Sequence, residues 1–270
     1  MPTFNSSEAL LNKSIESAIA QTLKNWELII VDDASTNDTP RMLDAWAAKE
    51  ARIRVIHKEK NEFRTLGISG SLNRGIDGAK GEYIARLDQD DYWIDPQKLE
   101  KQIAFFASHP DHVVVGGGVI VVDDGGKEQF RYFKKETDDE IRKTALFANP
   151  FSHTTVMFRA DAAIAAGKYQ VKHIEDWDLW LRMGARGKFY NFQEYFVAYT
   201  MNNQNSSFIN QKPLSRIILT LLWRERGNYP GFWRAYPVNL AQYVYALLPI
   251  PFAVRLKFRS FLSSLKRGSF

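Results

Sequence analysis

Apolar and polar positions alternate along the first 110 residues with two different periods. From residue 7 to 21, Ala9, Leu10, Ile15, Ala18 and Ile19 follow a helical spacing behind a candidate N-cap, Ser6 or Ser7. Trp26 to Val31 is a compact apolar run that stops at Asp32-Asp33, as a buried strand would. Ser35 to Asp38 turns the chain into a second helix reaching about Ala51, and Ile53 to Ile56 predicts the next strand. After a polar loop, Lys58 to Thr65, the positions of Ile68, Leu72 and Ile76 predict a further helix. Tyr83 to Leu87 then runs as a strand into Asp88, Asp90 and Asp91, and Pro96 opens another helical pattern. Helix and strand recur at βαβ spacing, which predicts an α/β fold with a mostly parallel central sheet flanked by helices.

The second half reads as mixed. Val113 to Val115 and Val119 to Val122 predict two strands joined by a turn at Gly116-Gly117-Gly118, closed by Asp123 to Gly126. His153 to Phe158 predicts a strand, Trp177 to Ala185 a helix, and Phe189 to Phe192 and Phe196 to Thr200 two short closing strands. Further on, Leu214 to Trp223 is strongly apolar, and Ala235 to Val254 carries no formal charge. Pro237, Pro249, Pro251, Asn239 and Gln242 interrupt that second stretch, so an amphipathic segment lying in a membrane plane is expected rather than a span.

Charge sharpens this division. Pro213 to Phe270 holds nine basic residues against Glu225 alone, a net +8, so the preceding 212 residues sum to −3 in a chain of +5. The basic character belongs to the tail, where Trp233, Tyr236, Tyr243 and Tyr245 accompany Arg255, Lys257 and Arg259. This make-up points to an anionic membrane surface rather than to nucleic acid; packing on the body or an oligomer contact is the other reading. The expected organisation is a domain at 1–212 and a tail at 213–270. With no cysteine, the chain has no disulfide, thiolate metal site or cysteine nucleophile. The first residues carry neither the basic region nor the apolar core of a secretory signal, so a cytoplasmic site at the inner membrane face is expected.

The chemistry lies in three acidic groups at the ends of apolar runs: Asp32/Asp33, Asp88/Asp90/Asp91 and Glu175/Asp176/Asp178. Parallel strands bring the first two to one sheet edge, where open α/β sheets bind ligands. Clustered carboxylates of this kind suit a divalent cation with phosphate, or they are turn residues and, at Glu175 and Asp176, helix N-terminal acids. His153 reads equally as a satisfied strand-end histidine. No P-loop, dinucleotide fingerprint, zincin motif or nucleophile elbow is present.

Several motifs in order resemble the family 2 glycosyltransferases of the GT-A nucleotide-sugar fold, over roughly residues 1–205. Pro2-Thr3-Phe4-Asn5 is similar to the family's Pro-Thr-Tyr-Asn opening, and Trp26 to Ser35 to its strand ending in Val-Asp-Asp-x-Ser. Gly67 to Asp91 resembles the helix and strand that end in the metal-binding Asp-x-Asp. Glu175-Asp176, with Leu179 to Arg182, resembles the Glu-Asp motif that supplies the base.

The resemblance implies that Pro2, Phe4 and Asp33 line the donor's nucleobase, with Arg64 close by, and that Asp88 lies near the ribose. It implies that Asp90 ligates Mn²⁺ or Mg²⁺ and that Asp176 is the general base, with Glu175, His153 and Asp91 in supporting places. The implied activity is inverting transfer of one sugar from a nucleotide sugar, with UDP expected, to a saccharide acceptor carried on a polyprenyl diphosphate. A nucleotidyltransferase acting on sugar phosphates, or a catalytically silent binding subunit, are the alternatives. The family places a strand ahead of the Pro-Thr-Tyr-Asn turn, so a missing or truncated first strand is expected. The Gln-x-x-Arg-Trp motif of the family's processive synthases is absent, which favours single transfer.

Overall fold

The structure, a computed structural model, describes residues 1–201 and 211–247. Ser7 caps the first helix, α1 (Glu8–Ile19), by accepting from the Leu10 amide, and Leu11, Ser14, Ile15 and Ala18 form its buried stripe. Around it the chain forms β1 (Pro2–Thr3), β2 (Leu28–Asp32), α2 (Thr39–Lys49) and β3 (Ile53–His57). These strands make a parallel three-stranded sheet in the order β1-β2-β3, with Thr3 opposite Asp32 and Asp32 opposite His57. All five residues of β2 are buried, which explains its unbroken apolar run.

The chain continues through α3 (Phe63–Leu66), α4 (Ser69–Gly78), β4 (Tyr83–Ala85), β5 (Tyr92–Trp93) and α5 (Lys98–Ser108). Next come β6 (His112–Val122), β7 (Glu128–Tyr132), α6 (Asp138–Thr144), a 3₁₀ turn at His153–Thr155 and β8 (Met157–Arg159). The last elements are α7 (Ala160–Ala165), α8 (Glu175–Gly184), β9 (Lys188–Thr200), α9 (Gln211–Arg224) and α10 (Phe232–Leu247). A six-stranded mixed sheet runs β4-β8-β6-β9-β5, with β7 paired to β6; within it only β6 and β9 are parallel.

Three local expectations change. The triple glycine is no turn: it lies inside one continuous strand, β6. A Cβ at Gly117 would strike the Phe196 ring and one at Gly118 the Phe133 ring, so the glycines make room for aromatic side chains that lie against the strand. The two closing strands are one, β9, whose pairing with β6 shifts register near Gly116 to Val119. His153 begins a 3₁₀ turn rather than a strand.

The tail's first part packs on the body. Leu221 and Leu222 of α9 and Phe232 and Ala235 of α10 join the core that holds Phe147, Trp180 and Phe189. Asp178, fully buried in α8, pairs with Arg182 at 2.5 Å and with Arg224 of α9 at 2.7 Å, which ties that helix down. Arg255, Lys257 and Arg259 lie outside the described residues.

A cavity of about 740 Å³ separates the two sheets. Leu28 and Ile29 of β2 line one side, Tyr83 and Ile84 of β4 the other, and Leu72 and Ile76 of α4 also line it. On this side β2 is paired by β1 at Val31 and Asp32, and β4 ends its sheet. The Met1 ammonium sits in the cleft, donating to the Ile29 carbonyl at 2.7 Å, and burial lowers its pKa to about 4. The cavity beside it is lined largely by apolar side chains of β2, β4 and α4.

Fusing six Val/Ile-rich residues ahead of Met1 is expected to raise Tm by several degrees, at about 2–4 °C per kcal/mol for a domain of this size. Amide exchange at Leu28 to Ile30 and Tyr83 to Ala85 should slow with it. An unchanged Tm and unchanged exchange would show that the cleft does not accept a strand.

Candidate active site

The acid turn follows β4 and is pinned from three sides. Ser14 of α1 donates its hydroxyl to the Asp88 carbonyl at 2.7 Å. Gln89 accepts from the Phe4 amide at 2.8 Å and donates back to the Phe4 carbonyl at 3.3 Å, so the end of β1 and the turn are held together. Asp91, buried, accepts the Thr200 amide at 2.9 Å, which joins the turn to the end of β9.

Beneath the turn lies Arg86, 4% exposed and donating to Asp88 at 2.6 Å. Its Nε donates to His153 Nε2 at 3.0 Å, and the Tyr169 hydroxyl meets the same ring nitrogen at 2.9 Å. Burial, then the neighbouring guanidinium, lowers His153 to about 4, so it is a neutral acceptor. Burial is the largest single effect on Asp88 and opposes its charge, but the attractions it meets, that of Arg86 the strongest, together hold the carboxyl below its ordinary value. Asp90 has no such cation: burial first and the Asp88 charge second push it up to about 6. The same causes, burial and then Asp90, raise Asp91 well above its ordinary value.

Asp176 stands in the first turn of α8, its Oδ1 accepting the Trp177 amide at 2.7 Å and its Oδ2 the Asn149 side-chain amide at 2.6 Å. Its charge reaches Arg86 and His153, both of which also feel Asp88. Glu175 beside it is pushed up to about 7, by burial and then by Asp176, and its Oε2 is buried without a hydrogen-bond partner among the described residues.

At the first sheet's edge Asp33 follows β2, its amide bound to the Thr3 carbonyl at 2.8 Å. Pro2 is buried and Phe4 is 42% exposed. The cation on Asp33 is Lys58, at 2.5 Å, which also holds Glu62 at 2.7 Å. Arg64 is exposed on α3, and its carbonyl receives Lys172 at 2.8 Å. It lies on the four-residue α3, and Lys58 is the cation paired with Asp33. Asp178, third of its acidic group, is taken up by Arg182 and Arg224.

The structure thus gathers Asp88, His153, Tyr169 and Asp176 around one buried arginine, sets Asp90, Asp91 and Glu175 beside those acids, and ties Phe4 to the turn through Gln89. Arg86, Gln89, Lys58, Tyr169 and Asn149 were not singled out from sequence. Arg86 carried the one available signal, a charge inside an otherwise apolar strand run.

Among the described residues no three His, Cys, Asp or Glu side chains form a metal cage. Asp90, with Asp88 beside it, nevertheless fits a hard cation that takes its remaining oxygens from elsewhere, because both are partly buried oxygen donors and Asp90 is raised by burial and by the Asp88 charge.

Stability should report the raised carboxyl. Glu175 has a folded value of about 7 against an ordinary 4.5, so its contribution is full below pH 4.5 and is lost as pH rises through 7. In metal-free buffer Tm should therefore fall more between pH 5 and pH 7.5 in the wild type than in Glu175→Gln. Equal falls in the two proteins, followed by calorimetry, would contradict the placement of this carboxyl.

Comparison with known proteins identifies the family. The family model described as Glycosyl transferase family 2 matches residues 1–167. A Bacillus subtilis protein named as glycosyltransferase EpsE is 38% identical over 209 residues, covering 74% of this chain and 71% of its own. The amylovoran biosynthesis glycosyltransferase AmsE of Erwinia amylovora is 35% identical over 178 residues, 66% of this chain and 65% of its own, so the chain spans just under two thirds of that relative. Among solved structures, S. aureus TarS 1-349 in complex with UDP-GlcNAc superposes with a TM-score of 0.67 at 19% identity, over 90% of this chain and 70% of that one. The mannosyltransferase PcManGT from Pyrobaculum calidifontis, in complex with GDP-Man and Mn²⁺, gives 0.63 at 15% identity, over 97% and 78%. Both likenesses carry the GT-A fold. An α/β frame of that kind, acids gathered at its strand ends, and a family match spanning more than half the residues place this chain in glycosyl transferase family 2, as a glycosyltransferase.

Proposed function

We propose that the protein transfers one sugar, with inversion, from a uridine diphosphate sugar to a hydroxyl of a saccharide acceptor, in the assembly of a surface polysaccharide on a polyprenyl-diphosphate carrier. The observation that carries the reading is the shared electrostatic centre at Arg86, which both Asp88 and Asp176 act upon. The polysaccharide setting is supported by the name of AmsE, and the donor class by the UDP-GlcNAc bound to TarS.

In this reading Pro2 and Phe4 flank the nucleobase and Asp33, held by Lys58, accepts from its ring N–H. Asp88, kept ionised by Arg86, accepts from the ribose. Asp90 would hold Mn²⁺ or Mg²⁺, which when bound supplies positive charge to the departing diphosphate. Asp176 takes the acceptor hydroxyl's proton as its oxygen attacks the anomeric carbon from the side opposite the nucleotide. A carboxylate is a weak base for a sugar alcohol, so proton transfer and bond formation must proceed together. His153 and Tyr169 fix Arg86, and Asp91 fixes the turn.

A nucleotide-sugar screen with Mn²⁺, read as nucleoside diphosphate release, tests the assignment. Asp176→Asn should lower kcat by at least about 10²-fold, the usual reach of general-base catalysis, and Asp90→Ala should abolish metal-dependent UDP binding in calorimetry. Undiminished turnover in the first variant removes the base assignment; wild-type metal-dependent affinity in the second removes the metal assignment.

For the tail, no described helix is long and apolar enough to cross a membrane. The reading is peripheral association with anionic lipid at the cytoplasmic face through α10. There Trp233, 82% exposed, lines up with the exposed Pro237, Leu240, Val244 and Leu247 at alternating steps of four and three. Deleting residues 229–270 would remove buried Tyr229, Phe232 and Ala235, so substitution is the cleaner test. Trp233→Glu with Leu240→Glu should weaken binding to phosphatidylglycerol vesicles at least about tenfold, since each buried apolar side chain contributes on the order of 1.5–3 kcal/mol. Equal vesicle binding by wild type and variant speaks against it.

A further inference from the structure

We infer that Asn149 is a positioning residue for Asp176: it fixes the rotation of that carboxylate so that one lone pair faces the acceptor hydroxyl. This rests on the reading of Asp176 as the base. The contact is the 2.6 Å hydrogen bond from Asn149 Nδ2 to Asp176 Oδ2.

Asn149 is itself held at both of its oxygens. Its Oδ1 accepts the Phe151 amide at 3.2 Å, and its main-chain carbonyl accepts Lys134 Nζ at 3.2 Å. Only the oxygen end of the side-chain amide can take the Phe151 N–H, so the nitrogen end must face Asp176. Pro150 restricts Asn149 to extended backbone, and Phe151, 2% exposed, anchors the segment in the core. On the other side, Trp177 donates its indole N–H to the Ala145 carbonyl at 2.8 Å and its amide to Asp176 Oδ1 at 2.7 Å. Each carboxylate oxygen therefore has one fixed donor and one lone pair left, and the plane of the group cannot turn.

Charged and titratable groups face this pair from every side. Glu175 adjoins Asp176 on α8, Arg86 and Asp88 lie at the end of β4, and His153 and Tyr169 stand between. Lys134 approaches from the segment after β7, its pKa lowered mainly by burial. A donor to a carboxylate favours the ionised form, so deleting that donor moves the carboxylate's titration upward. Misplacing the base also slows the chemical step more than it weakens binding.

The variant that isolates the contact is Asn149→Asp. It keeps the shape and an acceptor for Phe151 but removes the donor and sets a like charge beside Asp176. Asn149→Ala is its partner. In full-length protein with ¹³C-labelled aspartate carboxyls, the Asp176 resonance is assigned by its absence in Asp176→Asn. Its titration midpoint should rise by about one unit or more in Asn149→Asp and by less in Asn149→Ala. UDP release from UDP-GlcNAc with Mn²⁺ is followed in parallel, and kcat should fall about tenfold or more in both, with KM changed less.

An unmoved Asp176 midpoint in a folded Asn149→Asp protein overturns the inference. Full UDP release in Asp176→Asn instead overturns the base reading, and the midpoint then still reports whether Asn149 holds the carboxylate. Complete loss of release in Asp176→Asn with normal kcat in both Asn149 variants keeps the base and removes its positioning by Asn149.

Discussion

The site depends on one buried guanidinium. Arg86 cannot shed its proton, so burying it demands a permanent anion, and Asp88 at 2.6 Å is that anion. Removing either partner would leave an unpaired charge inside, at a cost of about 3–5 kcal/mol. Because Asp88 uses up this cation, Asp90 and Asp91 face a fixed negative charge with none of their own to answer it. His153, by contrast, stays neutral and serves as acceptor. A single cation thus divides three neighbouring acids into one that is always charged and two that hold protons more tightly.

The surrounding architecture serves that turn. Ser14 from α1, Gln89 through Phe4, and Asp91 through Thr200 attach it to three separate elements. The glycines of β6 let Phe196 and Phe133 close against the strand, filling the sheet that carries β8 and β9. On the far side, the Asp178 pairs with Arg182 and Arg224 hold α8 and α9 together, so the helix that presents Asp176 is fixed at its first turn.

Much of this was legible in the chain. Strand-end acids, an amphipathic first helix behind Ser6 or Ser7, and a helix starting near Trp177 just after Glu175 and Asp176 follow from periodicity and from where charge interrupts it; the structure chooses Ser7 and starts α8 at Glu175. The residues that escaped reading are those whose meaning lies in a distant partner. Asn149 looks like any loop asparagine until α8 is brought against it, and Lys58 is one of several lysines until β2 and β3 pair. Gly116 to Gly118 misled for a related reason: local chemistry favours a turn, and only the rings arriving from β9 and from the segment after β7 make a glycine strand the better solution.

The cleft between the two sheets has a consequence for the donor itself. Pro2, Phe4 and Asp33 lie on or directly after strands of the three-stranded sheet, whereas Asp88 and Asp90 sit between β4 and β5 of the other and Asp176 on α8. On the proposed reading a nucleotide sugar touches both at once, so its two ends grip opposite banks of a seam that the protein closes only in part. Ligation and cohesion then become one equilibrium, and whatever binds across the seam adds its binding free energy to the folding of the whole. The substrate acts as a removable rivet.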